Sequence, residues 1–184
     1  MTKYKGSFLR SGIYQKIIKV IKTVLRIKLL LIISVTPLIF ITMKKMKKIL
    51  FICTGNSCRS QIAEGLLRDL AGDNFEVFSA GSHPSRVHPA SIAVMSEWGI
   101  DISNHTSDWT NEYLDKSIDI VITVCDNANQ ACPTFPGDVK RIHWSIDDPF
   151  HGWGAEPADL EPYRETREIL KEKIESFLQG ETAR

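Results

Sequence analysis

The sequence predicts an α/β sandwich of three layers with a central four-stranded parallel sheet. Two observations carry this. From Lys48 onward, β-branched apolar runs alternate with segments of helical periodicity. The residues with the most reactive side chains also stand just after those runs, where ligands bind in parallel α/β sheets.

Ile49–Cys53 reads as a short buried strand. Ser60–Ala71 places Ile62, Ala63, Leu66, Leu67 and Leu70 on one helical face, with Gly72 as its stop. Phe75–Phe78 is a second strand that runs into Ser79-Ala-Gly81. Pro89 starts a helix through Trp98, closed by Gly99, and Asn111–Lys116 is a short helix. Ile118–Val124 is the longest β-branched run and the clearest strand. Lys140–Trp144 is the fourth strand, and Glu161–Leu178 a closing amphipathic helix. Right-handed crossovers then bring Cys53, Ser79, Cys125 and the 144–148 stretch to one face.

The chain has 184 residues and a net charge of +1, which hides a strong asymmetry. Twelve of the 23 Lys/Arg lie up to Lys48, where there is no Asp or Glu, so the remainder carries a net of −11. An acidic globular part argues against nucleic acid as a partner. The organisation is therefore a basic, apolar extension over 1–45 and a globular domain over 46–184.

In the extension, basic residues up to Lys28 precede the apolar run Leu29–Thr42, which Pro37 breaks. That order resembles a signal peptide or a membrane anchor. The run is shorter than the ~20 residues a spanning helix needs. Translation starting at Met43 or Met46, or a dispensable tail, is the preferred reading; membrane association follows only if the extension is real.

Four cysteines stand within residues 53–132. A domain of this size builds a core without disulfide staples. The spacings C-x₄-C and C-x₆-C are not those of zinc sites. Catalytic thiols in a reducing cytoplasm fit best.

Cys53-Thr-Gly-Asn-Ser-Cys-Arg59 lies between a strand and a helix, so loop amides and the helix dipole gather around one point. Cys53 there is a nucleophile whose thiolate is favoured, Arg59 an oxyanion clamp, Gly55 the residue that permits the turn, and Ser57 or Ser60 a hydrogen-bond donor to the sulfur. C-x₅-R alone is a common pattern, and a buried strand-end cysteine is the plainer account of it. Asp148, before Pro149 on a loop after the last strand, suits a general acid, although an ordinary Asx-Pro turn reads the same way. Cys125 and Cys132 have no task in hydrolysis. Placed after a strand and along a polar segment with Asn127, Asn129 and Gln130, they suggest a relay of disulfide exchange and a helix that loosens on oxidation.

Residues 48–180 resemble the thioredoxin-coupled arsenate reductases built on the low-molecular-weight tyrosine phosphatase fold. The resemblance rests on Phe51–Gln61, Ser79–Gly81, Asp101–Asp108, the Cys125/Cys132 pair and His143–Pro149. It implies that Cys53 attacks arsenate held by Thr54, Gly55, Asn56, Ser57, Cys58, Arg59 and Ser60, while Asp148 protonates the departing oxygen. It further implies a Cys53–Cys125 disulfide as arsenite leaves, then a Cys125–Cys132 disulfide that reduced thioredoxin opens; glutaredoxin with glutathione serves some relatives. Cys58 has no part in this relay. Asn56, Glu64, Ser79, Thr106 and Asp108 are implied as a polar cluster that holds potassium in some relatives, or as a hydrogen-bond network without metal. No tightly bound cofactor is implied, and a monomer is expected.

Two rivals stand beside this reading. One is a true phosphotyrosine phosphatase, and weak phosphatase activity is expected in any case because phosphate and arsenate are near-isosteres. Against it, Phe150-His-Gly152 stands where phosphatases carry a tyrosine pair, and the two later thiols would be idle. The other is a non-enzymatic redox-sensing or oxyanion-binding module, which leaves Asp148 unexplained.

Overall fold

A computed structural model describes residues 16–28, 45–156 and 159–182, and the chain divides into two compact units, Met1–Lys45 and Met46–Arg184. In the first unit residues 16–28 form α1, which exposes Ile17, Val20, Ile21, Val24 and Leu25 along with its lysines. The apolar run 29–42 lies outside the described residues. Among the described residues no helix is long and apolar enough to cross a membrane.

The second unit runs β1 (Lys47–Cys53), α2 (Arg59–Ala71), β2 (Phe75–Gly81), α3 (Pro89–Ser96), β3 (Ile120–Thr123), α4 (Asp126–Ala131), β4 (Lys140–His143) and α5 (Glu161–Thr182). The strand order is β2-β1-β3-β4, and every pairing is parallel. Successive residues of a strand point to opposite faces, and Ile49–Cys53 and Ile120–Thr123 are buried without interruption. Both faces of the sheet are therefore covered, which is the three-layer α/β sandwich of the sequence reading.

β1 sits inside the sheet because the chain goes to one side of it for β2 and to the other for β3. The crevice at its carboxyl end is a topological switch point, and Cys53 ends that strand. α5 closes the core by burying Tyr163, Leu170, Ile174 and Phe177 at helical spacing.

Several boundaries differ from the sequence reading, each for a local reason. β3 is shorter than Ile118–Val124 because Asp119 turns inward to β1, its carboxylate accepting from Lys48 N at 2.8 Å. The segment expected as a helix over Asn111–Lys116 is a 3-10 turn at Thr110–Tyr113, and Ser117, at φ +55, turns the chain out of it. α3 ends at Ser96, and Gly99, at φ +76, closes the following turn. β2 continues to Gly81, so Ser79 lies within the strand rather than after it.

Candidate active site

The loop between β1 and α2 wraps its own first residue. Asn56 N donates to Cys53 Sγ at 3.1 Å, and Ser60 Oγ lies 3.0 Å from the same sulfur. Asn56 Nδ2 donates to Ser60 Oγ at 2.9 Å, which leaves the serine hydroxyl hydrogen for the sulfur. Ser60, and not Ser57, is thus the serine beside Cys53; the Ser57 hydroxyl lies 3.5 Å from Cys58 Sγ. The left-handed residue of the loop is Asn56, at φ +45, rather than Gly55. Asparagine tolerates that conformation at small cost. Gly55 instead offers its carbonyl to Ser85 N and to the Ser85 and Ser107 hydroxyls, which pins the loop to the segment after β2.

Cys53, Thr54, Gly55, Ser57, Cys58 and Arg59 line a cavity of about 220 Å³, together with Ser85, Asp148, Phe150 and Trp153. Asn56 and Ser60, expected as ligand-binding residues, are fully buried and turn their side chains inward beneath the loop. Burial pushes the Cys58 thiol up to about 11, which keeps it protonated.

Arg59 is anchored before any ligand arrives. Its NH1 donates to Ile146 O at 2.9 Å and its NH2 to the Asp148 carboxylate at 2.7 Å, while Nε is buried without a partner. Arg59 is among the residues that line the cavity, and a guanidinium there suits an oxyanion. Asp148 is anchored in turn, its second oxygen accepting from Phe150 N at 3.2 Å.

The polar cluster implied by the resemblance does assemble. Asn56 Nδ2 donates to Ser79 Oγ at 2.9 Å, Asp108 N donates to Asn56 Oδ1 at 2.8 Å, and Thr106 Oγ1 donates to the Asp108 carboxylate at 3.0 Å. Glu64 pairs with Arg68 at 2.6 Å, and burial raises its carboxyl above the usual range. Hydrogen bonds thus link Asn56 to Ser79 and Asp108, and Asp108 to Thr106, in one polar group.

Cys125 is the residue before α4, and its sulfur lies 3.5 Å from Thr54 Oγ1 of the active loop. Cys132 is the residue after α4, half-buried, and burial raises its thiol. All four thiols are free. The polar segment between Cys125 and Cys132 is wound as helix.

Sequence reasoning passed over His88. This residue is fully buried, and its backbone N donates to Ser57 O at 3.0 Å. Its Nδ1 accepts from Ala90 N, so Nε2 carries the hydrogen and donates to Gly152 O at 2.7 Å. The ring stacks on Trp153 and Tyr163, each at 5.0 Å. Its backbone thereby ties to the Cys53 loop, and its side chain to α3, α5 and the segment that follows Asp148. Its only trace in the sequence is its place before Pro89, the position that caps a helix starting with proline.

A strand–loop–helix junction with a cysteine ahead of its amides and an arginine behind them is how a phosphatase-like α/β enzyme holds a tetrahedral oxyanion. Residues 48–183 match the low molecular weight phosphotyrosine protein phosphatase family, and the chain belongs to it. Within that family several of its relatives are reductases by name, and a solved low molecular weight protein tyrosine phosphatase of T. tengcongensis also superposes, with a TM-score of 0.61 at 27% identity over 73% of this chain and 99% of that one. An arsenate reductase of Staphylococcus xylosus is 44% identical over 131 residues, covering 71% of this chain and 95% of that one. A solved arsenate reductase in its oxidized state superposes with a TM-score of 0.61 at 37% identity, over 71% of this chain and 95% of the other. The thioredoxin-dependent arsenate reductase of Corynebacterium glutamicum superposes with a TM-score of 0.60 at 28% identity, over 76% of this chain and 63% of that chain.

Proposed function

We propose that the unit Met46–Arg184 reduces arsenate to arsenite with electrons from its own thiols, and that thioredoxin restores them. The observation that carries this is the placement of Cys125 and Cys132. One thiol lies beside the nucleophile loop, and the other sits across a single short helix. A hydrolase has no use for either.

The steps balance as follows. The Cys53 thiolate attacks arsenic(V), and an arsenate oxygen leaves as water after protonation by Asp148. Loop amides and Arg59 hold the remaining oxygens. The Cys125 thiolate then attacks Cys53 Sγ, the S–As electron pair passes to arsenic, and arsenite departs as the Cys53–Cys125 disulfide forms. Two thiols have lost two electrons, and arsenic has gained them. Cys132 attacks Cys125 and expels the Cys53 thiolate, leaving a Cys125–Cys132 disulfide for the external dithiol.

Such a relay requires a reducing compartment, so we place the unit in the cytoplasm and as a monomer, with residues 1–45 dispensable for turnover. The test is arsenate-dependent NADPH oxidation, measured separately with thioredoxin and thioredoxin reductase and with glutaredoxin and glutathione. Turnover with the thioredoxin system is expected, with or without residues 1–45. Hydrolysis of aryl phosphates without arsenate-dependent oxidation in either system would make the protein a phosphatase.

A further inference from the structure

Cys125 and Cys132 flank an intact helix, and that geometry forbids the bond between them. Seven residue steps at about 1.5 Å each separate their Cα atoms by roughly 10 Å along the axis. A disulfide needs them within about 7 Å. α4 must therefore unwind before the second disulfide of the relay can form. A six-residue helix is marginal by its own hydrogen bonds, so what keeps it wound is its attachment to the sheet.

That attachment is specific. Thr123 and His143 end the adjacent strands β3 and β4 and are register partners. Their side chains meet at 2.9 Å, Thr123 Oγ1 to His143 Nδ1. From this pair one bond reaches α4: His143 Nε2 donates to Asp126 Oδ1 at 3.0 Å in the first turn, which leaves Nδ1 to accept the Thr123 hydroxyl hydrogen, while the Asn129 side chain lies 3.2 Å from the same hydroxyl. The His143–Asp126 bond ties the first turn of α4 to the end of β4. Neither strand residue touches the cavity that holds Cys53.

We propose that His143, fixed by Thr123 and paired to Asp126, is a latch that holds α4 wound and so sets the rate at which the disulfide moves from Cys53–Cys125 to Cys125–Cys132. This rests on the relay reading. It adds no redox step: Cys132 attacks Cys125 Sγ, the Cys53–Cys125 bond breaks, and Cys53 leaves as thiolate. His143 is a positioning residue that touches neither substrate nor sulfur. While the latch is closed, Cys132 is kept from Cys125 and the reduced protein holds its thiols apart. Opening it exposes the transferred disulfide to a donor.

The experiment follows both disulfides by rapid alkylation and mass mapping after one equivalent of arsenate, in the full chain and in His143→Ala, Asp126→Ala and the double variant. In each variant disulfide transfer to Cys132 is expected to speed up several-fold, and hydrogen exchange of the α4 amides in the reduced protein to rise. Aryl phosphate hydrolysis, which needs only the Cys53 loop and its acid, is expected to stay at the parent rate. The double variant is expected to gain less than the sum of the two single ones, since both remove the His143–Asp126 bond, although Asp126→Ala also removes a bond to Ser145 and His143→Ala one to Thr123. Unchanged transfer and exchange would overturn the latch, as would a parallel fall in aryl phosphate hydrolysis, which marks general damage. Absence of any Cys125–Cys132 disulfide in the parent chain would overturn the latch and the relay together.

Discussion

The guanidinium of Arg59 and the carboxylate of Asp148 meet at 2.7 Å across the cavity, one buried and the other more than half exposed. Clamp and acid are thus each other's partners until an oxyanion enters. A tetrahedral anion has to compete with Asp148 for the guanidinium. In Asp148→Ala the competition is gone along with the acid. Turnover of aryl phosphates is expected to fall by about 10² or more, while inhibition by inorganic phosphate stays equal or tightens. Steady-state kinetics with phosphate as inhibitor checks the split.

Cys132→Ser is expected to release one equivalent of arsenite per chain and then stall as the Cys53–Cys125 disulfide. Cys125→Ser is expected to release none, and both variants should retain slow aryl phosphate hydrolysis. Continued turnover of Cys132→Ser with thioredoxin would sink the relay. Single-turnover arsenite assays with mass mapping of the trapped bond decide it.

Gly81 ends β2 against the active loop. A Cβ there would lie 2.7 Å from Thr54 O and 3.0 Å from Asn56 N, both backbone atoms that cannot swing aside. Gly81→Ala should therefore destabilise the fold by about 1–3 kcal/mol. It should also lower activity, because the displaced atoms belong to the loop that holds Cys53. Denaturant unfolding alongside aryl phosphate kinetics measures both.

His88 links stability to pH. Burial lowers its imidazole below the ordinary 6.5, assisted by the Arg86 and His151 charges, and the neutral ring accepts from Ala90 N while donating to Gly152 O. The unfolded chain takes up a proton near pH 6.5 that the folded chain refuses. The stabilisation is therefore complete above about 6.5 and is lost as pH falls toward the lower folded value. Melting temperatures of the parent should drop over that window, and those of His88→Asn should start lower and drop less.

The core of the site was legible because its chemistry is contiguous: Cys53 to Arg59 is one loop, and the runs on either side of it carry unambiguous periods. Asp148 was legible through Pro149, which restricts the residue before it. His88 was not, since its partners Ser57, Gly152 and Tyr163 lie 31, 64 and 75 residues away and a histidine before a proline has no fixed meaning. The Arg59–Asp148 pairing was hidden for the same reason, the two residues being 89 apart. Asn56 has two expected places, in the ligand-binding loop and in the polar cluster that the resemblance implies, and its side chain joins the cluster. Its left-handed backbone, at φ +45, accompanies that placement, and nothing in the spacing encodes it.

At the amino-terminal end of the strands, Glu181 near the end of α5 accepts from Lys47 at 2.5 Å and from Lys140 at 2.7 Å, the first residues of β1 and β4. These two lysines hold its carboxyl down at about 2. The clamp fixes where the polypeptide enters the sheet, and the seven residues of β1 then carry it about 20 Å to the mouth of the cavity. Anything grafted ahead of Lys47, such as an affinity tag, a fluorescent partner or a linker to an electrode, is attached at the end opposite the reactive sulfur. For an immobilised arsenic sensor this makes the amino-terminal side the natural point of attachment.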